Sequence, residues 1–195
     1  MRNEKENSYV LGQEFFYGSS VKKNYRKAFP LLLDAALGGY AHAQNLAGYC
    51  YDCGLGTNKD SKMAVFWYGQ AAKHYHKEAL CNLALCYEHG RGVEANPRKA
   101  FNLYLKAAEV GDAWAQCNLA VCYLQGDGTK QDLKKGIEWM RKAARKGDAK
   151  AQYNLGSAYL DGEGVQQSGR LAKVWFRKAA EQGHRKAASH LNRTS

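Results

Sequence analysis

Proline is almost missing from this 195-residue chain, which has 2, and no apolar run approaches the ~18 residues a membrane span requires. So little proline leaves helices unobstructed, and the short apolar runs argue against a transmembrane segment. Met1 to Phe16 is polar and charged and lacks the apolar stretch of a secretory leader. The 6 cysteines form no disulfide framework, because pairs such as Cys81 and Cys86 point in different directions on a helix. A cytoplasmic protein with reduced thiols is expected. Acid is short as well: 18 Asp and Glu face 29 Lys and Arg, a formal charge of +11.

Constellations that carry chemistry are lacking too. Cys50-x-x-Cys53 stands without the second Cys-x-x-Cys of a zinc site or the βαβ setting of a redox motif. His74 and His76 lie two apart, a spacing that does not face one way on a helix. No nucleophile or carboxylate pair stands in a defined relation to any histidine, so no metal, cofactor or catalytic residue is expected and the chain is not read as an enzyme. A cysteine-based metal or redox protein stays as a rival reading, recognisable by bound zinc or a shifted thiol pKa.

Glycine, by contrast, is abundant at 20 residues, and its spacing explains why. Ala43, Ala79, Ala115, Ala151 and Ala187 lie 36 residues apart without insertion or deletion. Leu11, Ala47, Leu83, Leu119, Leu155 and Leu191 keep the same period, as do Phe15, Tyr51, Tyr87, Tyr123 and Tyr159. Two glycine columns follow, Gly18, Gly54, Gly90, Gly126, Gly162 and then Gly56, Gly92, Gly128, Gly164. Coinciding columns at one period are the mark of a repeat array. Each unit reads as helix, Gly-x-Gly loop, helix, with alanine, leucine and aromatic at i, i+4 and i+8 striping the first helix.

The second helix carries its own start signal. Asn24, Asp60, Asn96, Asp132 and Ser168 are spaced as N-caps, and Pro97 suits a first helical position. Alanine pairs from Ala35-Ala36 to Ala179-Ala180 allow close helix contact, with Trp67, Leu103, Trp139 and Trp175 as bulky fill. Gly39, Gly111, Gly147 and Gly183 close the helix, with Tyr75 in that column once. Pro30, inside the first repeat's second helix, is expected to kink that helix or delay its start.

Ala151 to Val165 (AQYNLGSAYLDGEGV) followed by Lys173 to Ala187 (KVWFRKAAEQGHRKA) resembles the Sel-one-like repeat (SLR) family, a subclass of tetratricopeptide-type solenoids. The likeness runs from residue 7 to 191. It implies an all-α fold, a right-handed α/α superhelical solenoid of five 36-residue helix-turn-helix repeats. Their bounds are 7–42, 43–78, 79–114, 115–150 and 151–186, with a C-terminal half-repeat at 187–195, in a single domain over 1–195. It implies a non-enzymatic scaffold whose first helices line a concave face that binds another protein. Bacterial members often serve host interaction, regulation or toxin immunity, and eukaryotic ones act as adaptors.

By that analogy the groove is lined by His42, Asn45, Tyr49, Asp52 and Cys53 in repeat two, and by Glu78, Cys81, Leu85, Glu88 and His89 in repeat three. Repeat four contributes Trp114, Cys117, Val121, Leu124 and Gln125, and repeat five Lys150, Tyr153, Ser157, Leu160 and Asp161. Trp114, Leu124, Tyr153 and Leu160 are of the type that anchors interfaces, although packing between repeats would equally use them. Asn82, Asn118 and Asn154 recur before the leucine and suit a bond between helices or a clamp on a partner backbone. A monomer and a protein partner are expected.

The positive charge is uneven: residues 130–195 hold 15 Lys and Arg against 6 Asp and Glu, a net +9. Most of these cations fall on second helices, where they form a solvated coat or steer an acidic partner, an anionic lipid surface or nucleic acid. Nucleic acid in the groove is disfavoured, because the groove columns are mixed and partly acidic.

Overall fold

The computed structural model describes residues 4–193, and every element among them is helical. The helices are α1 (Glu4–Tyr17), α2 (Tyr25–Leu37), α3 (Ala41–Cys53), α4 (Ser61–Lys73), α5 (Lys77–His89) and α6 (Pro97–Glu109). They continue as α7 (Ala113–Gln125), α8 (Leu133–Arg145), α9 (Ala149–Asp161), α10 (Gly169–Glu181) and α11 (Arg185–Arg193). None of them is long and apolar enough to cross a membrane.

The chain packs as two units, one running to Leu103 and the other from Tyr104. In the first, α1 lies on α2 and α3 on α4, while α2 meets α3 and α4 meets α5. In the second, α7 lies on α8 and α9 on α10, while α8 meets α9 and α10 meets α11. Within each unit these helices pack on their sequence neighbours, as helical-hairpin repeats do.

The caps place the helix starts. Asn24, Asp60, Asn96, Asp132 and Ser168 each accept an N–H two or three residues on, at 2.9–3.3 Å. The first helices have a matching cap column. Asp112 accepts from Ala115 at 2.7 Å and Asp148 from Ala151 at 2.6 Å, while His76 and His184 accept from Ala79 and Ala187 through Nδ1 at 3.3 Å. Each such cap contributes about 1 kcal/mol.

The two glycines of the loop do different work. The first ends the helix in the left-handed region, with φ of +70° at Gly54 and +67° at Gly90. The second touches the preceding hairpin: a Cβ on Gly56 would stand 2.1 Å from the Tyr25 carbonyl oxygen, and one on Gly92 2.1 Å from that of Ser61. Its column is fixed by stacking as well as by the turn.

The alanine column from Ala43 to Ala187 is fully buried. Deepest beside it lies a column that varies in kind: Leu32, Tyr68, Tyr104, Met140 and Phe176. Gly48 and Gly156 leave room for two of these rings, since a Cβ there would fall 2.7 Å from Tyr68 and Phe176. Repeat four reverses the arrangement, with Ala120 on the first helix and Gly136 on the second, where a Cβ would meet Leu124 at 2.7 Å. Buried Gln44, Gln116 and Gln152 each donate Nε2–H to a carbonyl near the end of the preceding second helix, at 3.0–3.2 Å.

Three positions depart from the repeat. Pro30 does not delay α2, which starts at Tyr25 directly after its cap, because Asn24 accepts from Lys27 and the proline ring faces outward. Leu11 is 42% exposed, and Phe16 takes the buried role in α1. Tyr75 adopts φ +55° where the other repeats use glycine, the one non-glycine at positive φ among the described residues.

Candidate partner-binding site

In the first unit, α1, α3 and α5 bring forward a mixed aromatic and polar face. His42, Cys53, Glu78, Glu88 and His89 are exposed, Tyr49 is 41% exposed, and Asn45 and Leu85 are half-buried. The Tyr49 hydroxyl pairs with the Cys53 thiol, which raises the Tyr49 pKa above its ordinary value. Asp52 is committed internally, its carboxylate held by Arg91 Nη1 at 3.0 and 3.3 Å. Cys81 is buried and lines the core instead of the face.

A histidine relay closes one end of this face. Ala79 N–H donates to His76 Nδ1, so the His76 proton resides on Nε2, which donates to His42 Nδ1 at 2.8 Å. Glu78 Oε2 stands 3.3 Å from His76 Nδ1. Burial, and then the neighbouring His42, push the His76 pKa below its usual value. Beside the relay, Asn82 Nδ2–H donates to Asn45 Oδ1 at 3.1 Å, so this asparagine ties consecutive first helices together.

In the second unit, Val121, Leu124 and Gln125 of α7 face Asn154 and Ser157 of α9 across a cleft of about 240 Å³, floored by Ile137 and Met140 of α8. Glu163 stands at its edge. Lys150 is exposed and donates to Asn118 Oδ1 at 3.2 Å. Leu160, 37% exposed, and Asp161 end α9. Other expected contacts are absorbed by packing: Cys117 is fully buried, and Trp114 sets its edge against Tyr104 at 5.8 Å. Tyr153 stacks on His184 at 4.5 Å and leans on Phe176 at 5.6 Å.

Two tyrosines of α1 join the first face and were not among the expected residues. Tyr17, 56% exposed, and Tyr9, 6.3 Å from the His42 ring, occupy the columns of Cys53 and Asn45 one period earlier. Running the 36-residue spacing back through the first repeat would have found them.

Burial pushes the thiol pKa of Cys50 and Cys117 up to about 12 and that of Cys86 to about 11, opposite to the direction a reactive thiolate needs. Among the described residues no three His, Cys, Asp or Glu side chains gather as a metal would need.

The fold has known counterparts. A Sel1 repeat protein from Oxalobacter formigenes is 31% identical and superposes with a TM-score of 0.89 over 94% of this chain and 73% of its own. A protective antigen of uropathogenic Escherichia coli with an SLR fold is 32% identical, with a TM-score of 0.87 over 94% of this chain and 39% of its own. Chitin synthase regulatory factor 4 of Schizosaccharomyces pombe is 34% identical over 85 residues, 43% of this chain, but the match spans only 13% of that longer protein. The Sel1 repeat matches five times, over residues 8–40, 41–76, 77–112, 115–148 and 149–184, and the chain belongs to the Sel1 repeat family.

Proposed function

We propose that the first-helix faces of this protein dock a segment of a partner protein, and that it works as an adaptor without catalysing a reaction. Sel1 repeats generally mediate contacts between proteins, and scaffolds of this family are typically non-catalytic. The observation that carries the reading is the division of labour along each first helix. The alanine and leucine columns hold the hairpins, while Tyr17 and Tyr49 are left 56% and 41% exposed on the same helices. The cleft between α7 and α9 offers the second unit's counterpart, apolar at Val121 and Leu124 and polar at Gln125, Asn154 and Ser157. Aromatic anchors beside hydrogen-bonding groups suit a protein segment. A rigid, stacked face also reduces the ordering cost of binding. The regulatory role in the name of the yeast relative fits a chain that acts through another protein.

The test is site-specific photo-crosslinking in native lysate from position 49 or 157, with position 66 on the outer side as the reference. A protein joined through 49 or 157, whose purified form then binds at least ~10-fold more weakly to a Tyr17→Ala/Tyr49→Ala variant, supports the reading. Crosslinks confined to position 66, or an affinity indifferent to the two tyrosines, would refute it. Trp114 and Tyr153 are poor choices for this test, because their rings pack within the second unit.

A further inference from the structure

We propose that the second-helix sides of the molecule seat on the surface of an anionic lipid bilayer. In the second unit the charge is segregated by helix. α7 has no charged residue and α9 has only Lys150 and Asp161, whereas α8 and α10 carry most of the surplus of 15 cations over 6 acids in residues 130–195. Lys134 and Arg145 lie on one exposed stripe of α8 with a single acid, Glu138, and Arg170 and Arg177 on the equivalent stripe of α10 with a single acid, Glu181, where Val174 is 43% exposed. Helix electrostatics accounts for Arg145, in the last turn of α8, but not for the cations at the helix starts. Lys134 and Arg170 sit in first turns, where the helix dipole favours acid, and neither α8 nor α10 has an acidic residue there.

The second helices of the first unit, taken by themselves, expose apolar side chains. Leu37 of α2 is 71% exposed and Phe66 of α4 is 49% exposed. A bilayer interface uses both kinds of surface: apolar side chains enter the headgroup boundary, and cations meet anionic lipid. A polynucleotide would leave Leu37, Phe66 and Val174 unused. It would also find no open aromatic platform on α8 or α10. Trp139 and Trp175 are half-buried, and their ring faces are covered by Lys142 at 3.7 Å and Lys178 at 4.7 Å.

The test is co-sedimentation of the full chain with phosphatidylcholine vesicles, with and without about one-third phosphatidylserine, at low and moderate salt. The expected result is retention on the anionic vesicles alone, weakening as salt rises. Lys134→Glu/Arg145→Glu/Arg177→Glu is expected to lower the partition at least ~10-fold, and Leu37→Ser/Phe66→Ser to lower it severalfold at both salt levels. Circular dichroism checks each variant, and Lys134→Gln/Arg177→Gln replaces any that loses helix. Failure to bind anionic vesicles, equal binding to neutral ones, or full retention by the charge-reversed variant overturns the proposal. Preference for single-stranded poly(U) over vesicles does so as well and reassigns the face to nucleic acid. Tyr17→Ala/Tyr49→Ala leaves vesicle binding unchanged, so this result stands or falls apart from the first-helix docking.

Discussion

Replacing Gly92 by alanine should destabilise the first unit far more than replacing Gly90, two residues earlier in the same loop. Both glycines hold nearly the same backbone conformation, φ +67° at Gly90 and +70° at Gly92. A left-handed alanine costs about 1–2 kcal/mol, offset by roughly 0.5–1 kcal/mol because alanine is less free than glycine when unfolded. That conformational cost, about 1 kcal/mol net, is common to both. Their surroundings differ. A Cβ at position 90 would lie 3.5 Å from its nearest neighbour, an ordinary contact, whereas one at 92 would lie 2.1 Å from the Ser61 oxygen and 2.3 Å from its carbonyl carbon. The obstacle is main chain at the start of α4, so relief requires the loop to move away from the hairpin behind it. Overpacking typically costs 1–3 kcal/mol and backbone-limited cases more, so Gly92→Ala should exceed Gly90→Ala by about 3 kcal/mol. Urea unfolding followed by circular dichroism measures both, with unchanged m-values validating the comparison. Equal losses would mean that the second glycine serves only the turn, and the stacking argument would fail.

Tyr75→Gly should stabilise the protein by about 0.5–1 kcal/mol, since it relieves a positive φ on an exposed ring; an unchanged midpoint would show that the tyrosine is compensated. For His76, the folded-state pKa lies below the unfolded value of about 6.5, so its contribution is present above that pH and is lost as pH falls through the folded value. Thermal midpoints should therefore drop more between about pH 7.5 and 5.5 in the wild type than in His76→Asp, whose carboxylate keeps the cap, and parallel pH profiles would contradict this. With a thiol-reactive dye at neutral pH, exposed Cys53 should react at least ~100-fold faster than Cys50, Cys86 or Cys117, a gap that urea abolishes. Comparable native rates would point to local opening of the core.

The hairpins were legible because their constraints recur. Alanine at 43, 79, 115, 151 and 187 and the caps from Asn24 to Ser168 mark positions where one residue type satisfies one local requirement in every unit. The column at 32, 68, 104, 140 and 176 escaped notice because its requirement is volume shared with a partner position. Tyr68 answers Gly48, and Phe176 answers Gly156, whereas Met140 sits opposite Ala120, so neither column is constant alone. The His76 and His184 caps were hidden for a related reason: they look unlike Asp112 and Asp148 yet offer the same acceptor. On the candidate face, analogy names columns, but spacing does not reveal how deep each side chain sits. Cys81 and Cys117 turned inward and Trp114 and Tyr153 pack on neighbouring rings, whereas Tyr49, edge-on to Phe16 at 6.1 Å, is still 41% exposed. Pro30 does not delay its helix because a strong cap at Asn24 sets the start whatever follows six residues later.

The second loop glycine measures its hairpin against main chain, the Tyr25 carbonyl for Gly56 and the Ser61 carbonyl for Gly92. Main chain is the one part of a protein that substitution leaves alone. At these two loops the ruler is therefore written in atoms common to every residue, and what is displayed on the face can drift without altering the step. A lineage that copies such a unit inherits a fixed pitch along with a blank surface, and new partners can be tried on that surface while the scaffold holds its dimensions.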